Sequence, residues 1–245
     1  MKLLIILTLL LSNSAFAEIQ TPGSAWDSYG FSPVEKDNKV NYFHIDQGII
    51  VGHVKGLEIK PYVAANLAKD SQGLLWDNKK EYEVGVKLTK KYDNGIVDFG
   101  LAYGSEHQKS ISKSATIISN NGWFGYKSFN RDDTPGSLWW TIGNISPFEK
   151  DNIIGLARID QGLNLKQIKT ITISSQYWAQ GGIDSKGDSW NNRFKHGLGI
   201  RALMPISNVS FQLTGGYECI DSFINHCGPT IYLDLWSGWN KIGGL

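Results

Sequence analysis

Ser105 and His107 stand two positions apart, with Glu106 between them. In an extended chain alternate residues share a face, so the hydroxyl and the imidazole would lie side by side. A histidine base next to a serine nucleophile, oriented by a carboxylate, is the apparatus of ester hydrolysis, here of a lipid or acyl chain. Spacing alone does not establish the hydrogen bond, and the Gly-x-Ser-x-Gly elbow that exposes a serine nucleophile does not occur. The other histidines, His44, His53, His196 and His226, are scattered, and no His/Cys group has metal-ligand spacing. Neither a metal nor a cofactor is expected. The preferred reading is non-enzymatic, with a lipid hydrolase or deacylase using Ser105 and His107 as the alternative.

A second constellation occurs twice. Ser32-Pro33-Val34-Glu35-Lys36-Asp37-Asn38, Ile45-Asp46-Gln47-Gly48 and Trp76-Asp77-Asn78 come first. Ser146-Pro147-Phe148-Glu149-Lys150-Asp151-Asn152, Ile159-Asp160-Gln161-Gly162 and Trp190-Asn191-Asn192 follow 114 positions later. Residues 32–91 and 146–205 share 19 identities in 60 pairs, against about four expected from ordinary composition. The likeness reaches upstream, where Thr21-Pro22-Gly23-Ser24-Ala25-Trp26 answers Thr134-Pro135-Gly136-Ser137-Leu138-Trp139. A period this long means two copies of a multi-stranded unit, 21–133 and 134–245, rather than a short-repeat solenoid. Tryptophan, asparagine and carboxylate together suit the recognition of sugar rings. The candidate contacts are Glu35, Asn38, Trp76, Asn78, Glu149, Asn152, Trp190 and Asn192. The plainer reading is that Asp and Asn cap turns by bonding nearby backbone.

The elements that must carry these residues are strands. Tyr82, Val84, Val86 and Leu88 alternate with Glu81, Glu83, Gly85 and Lys87. A turn at Tyr92-Asp93-Asn94-Gly95 then leads to Val97, Phe99, Leu101 and Tyr103, alternating with Asp98, Gly100 and Ala102. One apolar and one polar face is the period-two signature of a sheet. Six strands per copy are predicted, at 23–32, 40–54, 57–69, 79–91, 96–106 and 122–130, then 137–146, 153–167, 170–182, 192–204, 209–220 and 229–239. Long connections are predicted at 70–78, 107–121, 183–191 and 221–228, all after odd-numbered strands and so at one end. Short turns fall at the other end, beside both termini. Long loops at one end, short turns at the other and an even strand count describe an antiparallel up-and-down outer-membrane β-barrel of about twelve strands. A soluble periplasmic β-sandwich that binds a ligand is the alternative.

In the barrel reading 18–245 is a single domain whose apolar faces meet outer-membrane lipid and whose polar faces line the interior. The predicted lumen residues are Lys60, Glu81, Glu83, Lys87, Asp98, Arg158, Asp160, Lys195, Arg201, Glu218 and Asp234. Mixed signs imply ion pairs bracing the wall, or a narrow pore. Tyr62, Trp178, Tyr232 and Trp236 share that face and offer stacking surfaces. Trp26, Trp76, Trp123, Trp139, Trp140, Trp190 and Trp239 fit aromatic girdles at the lipid–water boundary.

Compartment follows from the ends and the cysteines. Met1-Lys2, the apolar run Leu3 to Leu11 and Ala15-Phe16-Ala17 read as a secretory signal peptide over 1–17. Losing Lys2 from the 24 basic residues leaves 23 against 23 acidic. Phosphate backbones need a basic surplus, so no nucleic-acid partner is expected. Cys219 and Cys227, the only cysteines, read as a disulfide in an exported chain. Placement in the outer membrane of a Gram-negative bacterium would require the envelope's barrel-assembly machinery as a partner.

The string Asn144-Ile145-Ser146-Pro147-x-Glu149, then Asp160-Gln161-Gly162 and Trp190-Asn191-Asn192, resembles the C-terminal outer-membrane region of NfrA-like bacteriophage adsorption proteins. That region is similar in layout to the porin parts of exopolysaccharide-secretion proteins. The resemblance implies a barrel associated with surface polysaccharide or phage.

Overall fold

The computed structural model describes residues 20–31, 38–73, 78–128, 131–188, 191–221 and 226–239. The signal-peptide stretch and Glu35, Trp76 and Trp190 lie outside the described residues. Among the described residues thirteen strands run in chain order: β1 Gly23–Phe31, β2 Lys39–Gly48, β3 Gly52–Val54, β4 Leu57–Asp70, β5 Lys79–Tyr92, β6 Gly95–Gln108 and β7 Ile111–Lys127. The second half holds β8 Pro135–Asn144, β9 Ile154–Ile168, β10 Ile171–Asp184, β11 Phe194–Ile206, β12 Val209–Asp221 and β13 His226–Trp239.

Each strand pairs antiparallel with its neighbour in sequence, and β1 pairs with both β2 and β13, Phe31 opposite Ile231 and Gly23 opposite Trp239. β2 and β3 both pair with β4, so they form one bent stave. The amides of Ile49 and Val51 keep that stave bonded to the Pro61 and Ile59 carbonyls at 3.0 Å across the bend. The result is a closed antiparallel barrel of twelve staves. Closure leaves the ring without an open edge strand, so the backbone groups of the shared ladder find partners without water.

The apolar faces point outward. Val84 and Leu101 are each 58 % exposed and Leu198 is 67 % exposed. Tyr62, Asp46, Glu106, Trp178 and Glu218 are all buried on the inner face. Greasy side chains outside and buried carboxylates inside reverse the arrangement of a water-soluble sandwich, so that alternative is set aside. Asp27 interrupts the outer band and accepts from the neighbouring outward Asn41 Nδ2 at 2.7 Å.

Tight turns need residues in the left-handed region. Lys55, Lys109, Lys169 and Ser207 take φ of 49°, 50°, 53° and 54°, each opening a two-residue hairpin turn. At Lys55-Gly56 both turn residues are left-handed, Gly56 with φ of 75°, which matches the twist of the flanking strands. The turn at Lys109-Ser110 corrects the predicted long loop over 107–121: β7 begins at Ile111 and stays paired with β6 from Gln108 to Gly95. Outward Ser112, Ser114 and Thr116 break the apolar alternation there, and Lys-Ser carries no glycine or asparagine turn signal. β8 meets β7 only from Ile118 onward, so the β6–β7 hairpin tip projects past β8. The other odd staves end at that same end, and the stretches from them to the next strand, over 32–38, 71–78, 145–153, 185–193 and 222–225, are longer in sequence.

Cys219 and Cys227 form a disulfide, facing one another across the β12–β13 ladder near the long-loop end.

Candidate functional site

The interior is the candidate site, because the ladder brings the chemically capable side chains onto one continuous inner face. In the first half Asp46 of β2 is 6 % exposed. It accepts from the amide of Ser24 at 3.1 Å and from that serine's hydroxyl, with Lys87 Nζ at 3.7 Å and His44 Nε2 at 3.8 Å. Tyr62 donates to Glu83 Oε2 at 2.9 Å, and Lys87 Nζ lies 4.2 Å above the Tyr62 ring. Thr89 donates to Asp98, Lys60 is buried on β4, and Lys79 bridges Glu81 at 2.8 Å and Glu106 at 3.9 Å.

The second half repeats the theme with different residues. Arg158 grips Asp160 with two bonds of 2.8 and 2.9 Å, and Arg201 adds a third at 3.3 Å. Trp178, 1 % exposed, donates its indole N–H to Glu218 Oε2 at 2.8 Å, and the Tyr232 hydroxyl lies 3.2 Å from Oε1 of the same carboxylate. Asp234 accepts from Ser28 at 2.6 Å and from Gln212 at 3.0 Å. Lys195 is half-buried on the inner face of β11. Buried charge is tolerated only when paired and hydrogen-bonded, and these carboxylates are. The predicted lumen residues therefore line the inner face on both halves of the ring, some in ion pairs and others held by neutral hydrogen-bond donors.

At the long-loop end the repeated Asn and Asp residues build two matching braces. Asn38 Nδ2 donates to Asp70 Oδ2 at 3.2 Å and Asn78 Nδ2 donates to Asp70 Oδ1 at 2.7 Å. At positions 114 further on, Asn152 Nδ2 donates to Asp184 Oδ2 at 3.2 Å and Asn192 Nδ2 to Asp184 Oδ1 at 3.1 Å. Asn38 Oδ1 accepts from Ser71 and Asn152 Oδ1 from Ser185. The glycines that follow, Gly73 and Gly187, both take φ of 75° and donate to the same aspartate. Asn38 and Asn152 are fully buried. Their amides hold loop residues, the arrangement that turn capping produces. Glu149 joins the second brace by accepting from Asn152 at 2.8 Å and Asn191 at 3.2 Å. Glu149, Asp184 and Asp188 bring carboxylate oxygens within 4.8 Å of one another, and amide donors already occupy them.

Asp46-Gln47-Gly48 and Asp160-Gln161-Gly162 have a comparable use at the short-turn end. Gln47 Nε2 donates to the carbonyls of Thr21, Pro22 and Gly48, and Gln161 Nε2 to those of Thr134, Pro135 and Gly162. These glutamines tie each copy's entry segment to its second stave.

A segment that sequence reasoning missed folds into the lumen. After β8 the chain makes a 3-10 turn, Pro147–Glu149, capped by Ser146, whose hydroxyl accepts from the Phe148 amide at 3.2 Å. The same hydroxyl donates to the buried Glu106 at 2.6 Å, Lys113 Nζ sits 4.7 Å over the Phe148 ring, and Pro147 is buried near Gly104. The Ser-Pro-x-Glu string was the available signal, but nothing local says that its serine finds a strand forty residues upstream.

The predicted aromatic girdle needs correction. Trp140 faces outward, stacked on Phe124 at 5.9 Å, and Trp239 shares the outward parity. Trp26, Trp123 and Trp139 instead point into the lumen, on the parity of Asp46, Asn121 and Arg158. Period-two counting puts them on the polar face; only their chemistry suggested lipid.

Ser105 and His107 do meet: Ser105 Oγ lies 3.3 Å from His107 Nε2, and Nδ1 lies 2.6 Å from Ser112 Oγ. They sit on the outer face, and Glu106 turns inward to Ser146 and Lys79. The pair thus has a hydroxyl, not a carboxylate, behind the imidazole. The β6 amides around the pair are taken up by the ladders to β5 and β7.

No family model matches the chain, and no curated protein matches it. Solved structures do. The β domain of the Bordetella autotransporter BrkA aligns over 90 % of this chain and 99 % of its own, at 12 % identity and a TM-score of 0.44. KdgM porin aligns over 88 % and 99 %, at 10 % identity and 0.41. The COG4313 outer-membrane channel from Pseudomonas putida F1 aligns over 93 % and 98 %, at 7 % identity and 0.45. The likeness at these values is one of barrel architecture alone.

Proposed function

We propose that this chain is a non-enzymatic barrel of the Gram-negative outer membrane that forms a narrow, water-filled channel associated with surface polysaccharide, in the manner of NfrA-like barrels. The observation that carries the reading is the inversion of the wall. An uncharged apolar face is turned outward over most staves, while paired carboxylates, guanidiniums and lysines face a lumen in which Trp26 and Trp236 remain 40 % and 54 % exposed. Lipid is the solvent that suits such an outer face, and water suits the inner one. In cells the protein should fractionate with outer membranes. On gels it should run faster unboiled than boiled, because a closed barrel resists detergent until heated. In planar bilayers it should give stepwise conductance. Recovery in an osmotic-shock fluid, or silence in bilayers, would contradict the placement and the channel respectively. Phage attachment to the long-loop end belongs to the same family resemblance and is read by adsorption to cells lacking the chain.

A second reading has one observation in its favour, the 3.3 Å approach of Ser105 to His107 on the outer face. It predicts that Ser105→Ala abolishes a change in the phospholipid or lipid A profile of expressing cells; an identical profile in wild type and variant disposes of it.

A further inference from the structure

Four tryptophans near the short-turn mouth of the lumen form two facing pairs. Trp26 of β1 lies directly opposite Trp236 of β13, and Trp123 of β7 directly opposite Trp139 of β8. In the ring of twelve staves β13 and β1 are the twelfth and first, and β7 and β8 the sixth and seventh, so the pairs occupy opposite walls. Trp26 and Trp139 are 113 positions apart, and so are Trp123 and Trp236.

Their setting is matched as well. Trp236 leans over Gly238, and Trp123 over Gly125. A side chain on either glycine would start 3.0 and 3.1 Å from an indole carbon. A nitrogen-bearing side chain stands across from the other member of each pair: His44 stacks on Trp26 at 5.8 Å, and Arg158 is register partner to Trp139. A carboxylate follows two residues along each of those strands, Asp46 and Asp160, with Ser24 bonded to the first and Ser137 in register with the second.

Exposed indole inside a polar tube is costly unless something apolar covers it, yet Trp26, Trp123 and Trp236 are 40 %, 47 % and 54 % exposed. Lipid cannot reach them, since they face the lumen. The occupant must travel along the pore axis, present a flat apolar face to an indole, and carry hydroxyls at its edge for the flanking carboxylates. A pyranose ring has C–H groups on its face and hydroxyls on its rim. We infer that the two tryptophan pairs form a binding site for a linear chain of pyranose sugars, held on the axis between opposite walls at the short-turn mouth. The charged neighbours are already paired with one another, as in Arg158 with Asp160, so the site suits uncharged sugars over polyanions. This rests on the reading of the lumen as open to water and names what that lumen takes.

The test uses the full chain, refolded in a detergent without a sugar headgroup, with maltohexaose and cellohexaose as probes. Isothermal calorimetry should show binding of at least one hexasaccharide, and the same sugar should interrupt single-channel current. The double variants Trp26→Ala/Trp236→Ala and Trp123→Ala/Trp139→Ala should each weaken binding about tenfold or more. The outward Trp140→Ala should leave it unchanged. Trp26→Phe/Trp236→Phe, which keeps aromatic faces, should retain part of the affinity, and heat-modifiable mobility confirms that each variant is folded. Binding of neither sugar, or affinity unaltered in both double-alanine variants, overturns the inference even if the channel conducts. Binding without any conductance would retire the channel and leave the sugar site standing.

Discussion

Within the lumen a single carboxylate can be asked to satisfy two neighbours, and Glu218 does so. Its oxygens meet the Trp178 indole N–H and the Tyr232 hydroxyl, and Trp178 is too deeply covered for water to replace it. Glu218→Leu should destabilise the barrel by about 1–3 kcal/mol, the cost of a buried donor left without an acceptor. Glu218→Gln keeps an acceptor oxygen and should recover most of the loss. Urea unfolding of barrels refolded into vesicles reads both; equal midpoints for the leucine variant and wild type would show that the bond contributes nothing. The functional sequence motifs have the same local character once placed. Asn38, Asn152, Gln47 and Gln161 are spent on their own backbone and loops. The tryptophans that remain uncovered belong to no repeated string longer than themselves and their entry segment.

Among the elements, the β6–β7 hairpin and the loop after β8 define the long-loop end. A peptide tag inserted between Lys109 and Ser110 should bind antibody on intact cells, because that tip projects past β8. The same tag between Asp93 and Asn94, at the opposite end, should bind only after permeabilisation. The reverse pattern would turn the barrel over in the membrane. The loop's inward fold is held by Ser146 on Glu106 and by Phe148 beneath Lys113. Ser146→Ala/Phe148→Ala should release it and raise single-channel conductance, with gel mobility unaltered. Conductance identical to wild type would mean that the 3-10 turn does not narrow the path. Hairpin boundaries were readable wherever a turn carries Asn-Gly or Lys-Gly, as at Asn94-Gly95 and Lys55-Gly56. The turn at Lys109-Ser110 was not, because its left-handed lysine is set by the ladder closing on either side.

For the whole molecule, the outer face decides which solvent the fold was built for. Leu101 lies at the middle of β6 and is 58 % exposed. In a bilayer, Leu101→Arg should cost about 2–4 kcal/mol. On a sheet facing water an exposed substitution of this kind stays within about 0.5 kcal/mol. The shift in unfolding midpoint of the vesicle-embedded protein distinguishes them, and a negligible shift would remove lipid from the account of this face.

The sequence by itself determined the strand class, the even number of staves, the inward parity of the charged residues and the 114-residue recurrence, because period-two burial and turn chemistry are written in neighbouring residues. The tertiary structure alone decided what those residues do to one another. Closure of β1 on β13 put Trp236 beside Trp26, and the in-folded loop put Ser146 on Glu106. Both meetings join positions far apart in the chain, and no local pattern encodes which distant wall a side chain will face once the ring is shut.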